Sequence, residues 1–150
     1  MADTSYLKWP FFEAHHARLA QSLDAWARQN IAHSHGADVD AECRQLVKAL
    51  GEAGWLRHAV AGTAYGGAGE HIDTRAICLI RETLARHSGL ADFAFAMQGL
   101  GSGAISLQGT PAQRERLAEV LAGELPPADP AVRQVEIDRE REAVGDMQIG

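Results

Sequence analysis

Residues 91–107 read ADFAFAMQGLGSGAISL, a stretch with a single charged side chain, Asp92. Apolar and small residues fall on nearly every side of its helical wheel, the pattern of a helix that is central and buried. The run is shorter than the roughly 20 apolar residues that span a bilayer, and no other run approaches that length. Helical periodicity dominates on both sides of it, and no convincing strand appears anywhere in the chain.

Downstream, Gly109-Thr110-Pro111-Ala112-Gln113 is the clearest start signal: Thr110 as N-cap, Pro111 in the first helical position and Gln113 completing a capping box. Leu117, Val120 and Leu121 form the stripe of that helix, and Gly123 stops it. Upstream, a helix from about Asp73 to Ser88-Gly89 carries Ile77, Ile80 and Leu84. A glycine-rich loop, Ala61 to Gly69, precedes it. Another helix starts at Asp38 or Asp40 with the stripe Val39, Cys43, Leu46, Val47 and Leu50. Gly54 sits where a left-handed cap is wanted, and Trp55 and Leu56 fold back onto the stripe. The first helix is expected to open at Pro10 and run to about His33, with Phe12, Leu19, Leu23, Trp26 and Ile31 inward. The expected architecture is all-α, an orthogonal or up-down bundle of five to six helices.

The length of 150 residues suits one helical domain over residues 1–124 and an acidic tail over 125–150. After the Pro126-Pro127 linker, Val132, Val135 and Val144 have the spacing of one surface helix. From Glu124 onward there are seven acids and three bases, so four of the six excess negative charges lie there. Such a surface offers no counter-charge to phosphate, which excludes nucleic acid as a partner. Cys43 and Cys78 fall on apolar faces and are expected to be buried, reduced thiols. Met1-Ala2-Asp3-Thr4 has no basic segment followed by an apolar one, so the cytoplasm is the expected location.

The order of these signals resembles the acyl-CoA dehydrogenase family. Ala53-Gly54-Trp55-Leu56 leads to Tyr65-Gly66-Gly67-Ala68-Gly69, then Arg81-Glu82-Thr83-Leu84-Ala85, the small-residue helix, Gly109-Thr110-Pro111-Ala112-Gln113 and finally Gly123-Glu124. The resemblance covers residues 10–124 and implies the N-terminal helical domain, with FAD as the family's cofactor and acyl-CoA as its substrate. In that family the small-residue helix lines the far end of the acyl pocket. By position this implicates Phe95, Ala96, Met97, Gln98 and Gly99, with Gln98 as the polar candidate. Tyr65, Gly66 and Gly67 form the loop, where the two glycines are expected to allow positive φ and close approach. Small residues on a helix serve close packing equally well.

The family's pattern continues after the Gly-Glu pair with a flavin-contacting β domain and a helical domain that carries the catalytic carboxylate. The sequence after Glu124 does not follow it. No catalytic residue is therefore assigned, and Glu136, Glu140 and Glu142 are not promoted to that role. The expected function is a partial flavoprotein domain supplying acyl-pocket wall, not catalytic alone; related flavin monooxygenases share the architecture. The alternative is a non-catalytic helical module binding a protein partner or lipid-like ligand. Either way, an uncovered apolar face should drive self-association or partner binding. No metal site is expected. His15 and His16 are adjacent, about 100° apart on a helix, so they are not expected to face one ion. His33 and His35 lie in a loop without a recognised ligand spacing.

Overall fold

Polar residues at helix starts set the element boundaries in the computed structural model, which describes residues 3–31 and 38–123. Helix α1 spans Ala14–Asn30, α2 Val39–Glu52, α3 Thr74–His87, α4 Gly89–Gln108, α5 Pro111–Glu115 and α6 Leu117–Leu121. Short 3-10 turns cover Ser5–Lys8, Trp55–Ala59 and Thr63–Tyr65. No strand forms among the described residues; one isolated parallel bridge, Ala61 to Gly69, closes the glycine loop. The all-α expectation holds. The predicted surface helix over 130–144 lies outside the described residues.

Several caps match their sequence signals. Asp38, not Asp40, caps α2 by accepting from the Ala41 N–H at 2.9 Å. Gly54 follows α2 with φ of 78°, the left-handed conformation that favours glycine. The Asp73 carboxylate accepts from the N–H groups of Arg75 and Ala76 at the start of α3. Thr110 and Gln113 make the reciprocal bonds of a capping box.

Other expectations are corrected. Pro10 does not open α1; the chain turns there, with the Phe12 N–H bonded to the Trp9 carbonyl at 3.1 Å. The helix starts four residues later because His16 Nδ1 accepts the Glu13 N–H at 2.9 Å and completes the first turn. At its other end α1 stops at Asn30 with Ile31 as C-cap. Val39 occupies the exposed first position of α2 and is not part of its buried stripe. Cys78 is exposed, because Ala76, Leu79, Ile80, Thr83 and Leu84 occupy the inward face of α3. The final helix is broken at Arg116, which separates α5 from α6.

The core joins α1, α2, α3 and α4 through Leu23, Leu50, Leu56, Ile80, Leu84 and Phe95, all at most 1% exposed. Burying each such side chain contributes about 1.5–3 kcal/mol. Where α6 ends, Gly123 meets α2 backbone to backbone. A Cβ on Gly51 would lie 2.6 Å from the Gly123 nitrogen, and one on Gly123 would lie 2.6 Å from the Val47 carbonyl oxygen.

Candidate functional site

Helix α4 is apolar all round but covered on one side only. Ala91, Ala94, Phe95, Ser102 and Ser106 face inward. Ser102 donates to the Ala59 carbonyl at 3.0 Å, and Ser106 Oγ accepts from the Ala61 N–H at 3.3 Å. On the other side Phe93, Met97, Leu100 and Leu107 are exposed by 53%, 45%, 73% and 65%. Their spacing of four, three and seven residues makes one continuous stripe. The expectation of a helix buried on nearly every side is thus corrected: composition is symmetric, coverage is not.

The residues singled out on α4 separate accordingly. Phe95 is a core side chain. A Cβ on Gly99 would face Ala59 at 3.8 Å, so this glycine looks onto the turn after α2. Ala96 is half-buried. Met97 and Gln98 line a cavity of about 510 Å³ between α4, α5 and α6, together with Ile105, Gln113, Arg116 and Leu117. Its size falls within the usual range for small-molecule pockets, about 300–1,000 Å³.

The loop supports this wall from behind. Gly66 has φ of 86°, as expected, and its carbonyl accepts from Arg57 Nε at 2.9 Å. Gly67 does not take positive φ; it is needed because its backbone packs against the Val60 carbonyl. Gly62, which sequence reasoning passed over, has φ of 96°. Its carbonyl accepts the N–H groups of Tyr65 and Gly67, each at 3.0 Å. Tyr65 ties the loop to α5, with the Arg114 guanidinium 5.9 Å from its ring centroid.

A second cluster lies at the start of α1. His16 Nε2 and His15 Nε2 approach the same Asp73 oxygen at 2.9 and 3.4 Å. Their ring centroids are 3.9 Å apart. The expectation that adjacent histidines diverge is corrected: at the first turn of α1 both rings fold onto the start of α3. His16 is fully buried rather than solvated. Burial works to raise the Asp73 pKa, but the Ala76 N–H and the His16 and His15 side chains outweigh it and bring the value to about 2. A cavity of about 540 Å³ opens beside the cluster, lined among others by His15, Arg18, His58, His71 and Asp73. Burial, then the charge of Arg57, lowers the His58 pKa. Sequence reasoning placed a helix start near Asp73 and missed its bond to His16, 57 residues away along the chain.

Residues 13–124 match the family model of the acyl-CoA dehydrogenase N-terminal domain. The chain belongs to that family. No curated protein matches it. As an acyl-CoA dehydrogenase N-terminal domain it comes from a generally flavin-dependent family. A dinucleotide, however, needs cations or clustered backbone N–H groups for its pyrophosphate. The cavity beside α4 offers Arg116, whose Nη2 lies 3.8 Å from Glu119 Oε2 on the same lining. The cavity beside α1 sets the Asp73 carboxylate, ionised at neutral pH, against the guanidinium of Arg18. Among the described residues of this acyl-CoA dehydrogenase domain, α4 presents an apolar face, and no helix is long and apolar enough to cross a membrane.

Proposed function

We propose that this domain supplies the acyl-chain wall for FAD-linked α,β-dehydrogenation of an acyl-CoA thioester, a step of fatty acid metabolism. The observation that carries this reading is the outward stripe Phe93, Met97 and Leu100 on a helix of the matched family. An acyl chain needs a long apolar contact free of charge. Asp92, the one charged residue of α4, is tied back to α3 by Arg81 at 2.8 Å. Met97 belongs both to this stripe and to the residues implicated by family position. Phe95 and Gly99 act from behind as packing. Removal of the α-proton requires a positioned base, and hydride transfer requires a bound flavin. Both functions fall to parts of the active site outside residues 13–124.

The test uses methyl NMR of the full chain, which has three methionines, Met97 being the one among the described residues. Octanoyl-CoA should shift the Met97 ε-methyl signal, and Leu100→Asp should abolish the shift. An unmoved Met97 signal at saturating ligand rejects the reading. Visible absorbance after incubation with FAD and removal of the excess tests the cofactor separately. A retained flavin band would contradict the assignment of the redox centre elsewhere.

A second reading rests on the same stripe. Phe93, Met97, Leu100 and Leu107 could serve a non-catalytic helical module that binds a protein partner or associates with itself. Concentration-dependent mass with no Met97 response to acyl-CoA would favour it.

A further inference from the structure

The oxygens around His15 are sorted by partner. Asp73 Oδ1 accepts backbone N–H groups of Arg75 and Ala76, at 3.0 and 3.3 Å, while Oδ2 faces the histidines. Glu13 Oε1 takes Arg75 Nη2 at 3.1 Å, and Oε2 faces His15 Nδ1 at 3.6 Å. Arg75 is further occupied by the Phe11 carbonyl at 2.8 Å, and its Nε faces Asp73 Oδ1 at 3.5 Å.

The two histidines then differ in what they can offer. His16 Nδ1 accepts the Glu13 N–H, so its proton sits on Nε2 and is donated to Asp73 Oδ2. It has no lone pair left for an ion; it orients the carboxylate, as an outer-shell partner does at a metal centre. His15 makes no good hydrogen bond. Its contacts at 3.4 and 3.6 Å exceed the usual N–H···O range of about 2.7–3.2 Å. A tetrahedral zinc ion, about 2.0–2.1 Å from each donor, holds neighbouring donors about 3.3 Å apart. The separation of His15 Nε2 from Asp73 Oδ2 is 3.4 Å. Around them stand two carboxylates, Glu13 and Asp73, against the one guanidinium of Arg75, and Arg18 lines the adjoining cavity.

We propose that His15 Nε2 and Asp73 Oδ2 form the fixed half of a site for a zinc-like divalent ion, completed by the imidazoles of His58 and His71, which line the same cavity and turn inward when the ion binds. Nitrogen and oxygen donors of this kind suit zinc over magnesium or calcium. The bound ion would pin the start of α1 to the start of α3.

The test is calorimetric titration of the full chain with zinc chloride, paired with cobalt(II) absorption as a report on tetrahedral coordination. Expected are one ion per chain and visible cobalt bands of tetrahedral intensity. His15→Gln and Asp73→Asn should each weaken zinc by about tenfold or more. Asparagine also caps helices, so Asp73→Asn keeps the cap on α3, and far-ultraviolet circular dichroism confirms that both variants fold. The double variant His33→Ala/His35→Ala removes two histidines that the proposed ligand set does not use and should bind normally. No zinc uptake, unchanged affinity in His15→Gln, or loss confined to the His33/His35 variant would each overturn the proposal.

Discussion

The α1–α3 side of the domain and the α4–α6 side are built on different principles. Across α1 and α3 run polar ties between distant residues. Tyr6 donates to Glu82 at 2.6 Å, His16 bonds Asp73 at 2.9 Å, Arg75 bonds Glu13 at 3.1 Å and His87 bonds Asp24 at 2.9 Å. Beyond Asp92, α4 is held by packing and by two serines bonded to backbone groups. Its outer stripe is bare apolar surface. One side is tied together by polar bonds, with Trp9 and Phe11 exposed before α1. The other leaves uncovered the kind of surface that binding or association buries.

The largest effect that would sharpen this contrast is at Phe95. If it belongs to the core, Phe95→Ala should cost about 3–5 kcal/mol in denaturant unfolding; a cost near zero would return it to the pocket. Next comes Gly51→Ala, whose methyl would meet the Gly123 backbone; overpacking should cost about 1–3 kcal/mol by the same measurement.

The acid limb of stability tests the polar side. Asp73 has a folded pKa of about 2 against an unfolded value of about 3.9. Its contribution is therefore complete above pH ~4 and lost as pH falls through about 2. In Asp73→Asn, thermal melts should show a shallower loss across that window, and an unchanged limb would break the argument. The smallest effect is expected on the bare face. Leu100→Ser should change stability by no more than about 0.5 kcal/mol while reducing hydrophobic-dye binding. A large destabilisation there would mean that the stripe is packed after all.

Caps were legible in the sequence because they are local. Asp38, Gly54 and the Thr110/Gln113 pair need only their own helix to be recognised. The covered face of α4 was not legible, because an all-apolar wheel reads the same whichever side a neighbour takes. For the same reason, the sequence singled out the run from Phe95 to Gly99 without sorting exposed side chains from core. Met97 and Gln98 reach a cavity; Phe95 and Gly99 turn away from it. The histidine pair escaped because a helical wheel treats side chains as rigid spokes. At a helix start two rings can bend to a carboxylate on another element, and spacing along the chain does not reveal that.

The contact between Gly51 and Gly123 sets an order of events. Gly123 rests on main-chain atoms of Val47 and Lys48, a surface that exists only once α2 is wound. The end of α6 is therefore expected to close after α2 has formed. Pulse-labelled hydrogen exchange should find the amides of Leu46–Leu50 protected before those of Leu117–Leu121, and the reverse order would refute it. A chain stalled before that last closure would already possess its core and its α4 stripe, and would lack only the seam that joins its end to its second helix.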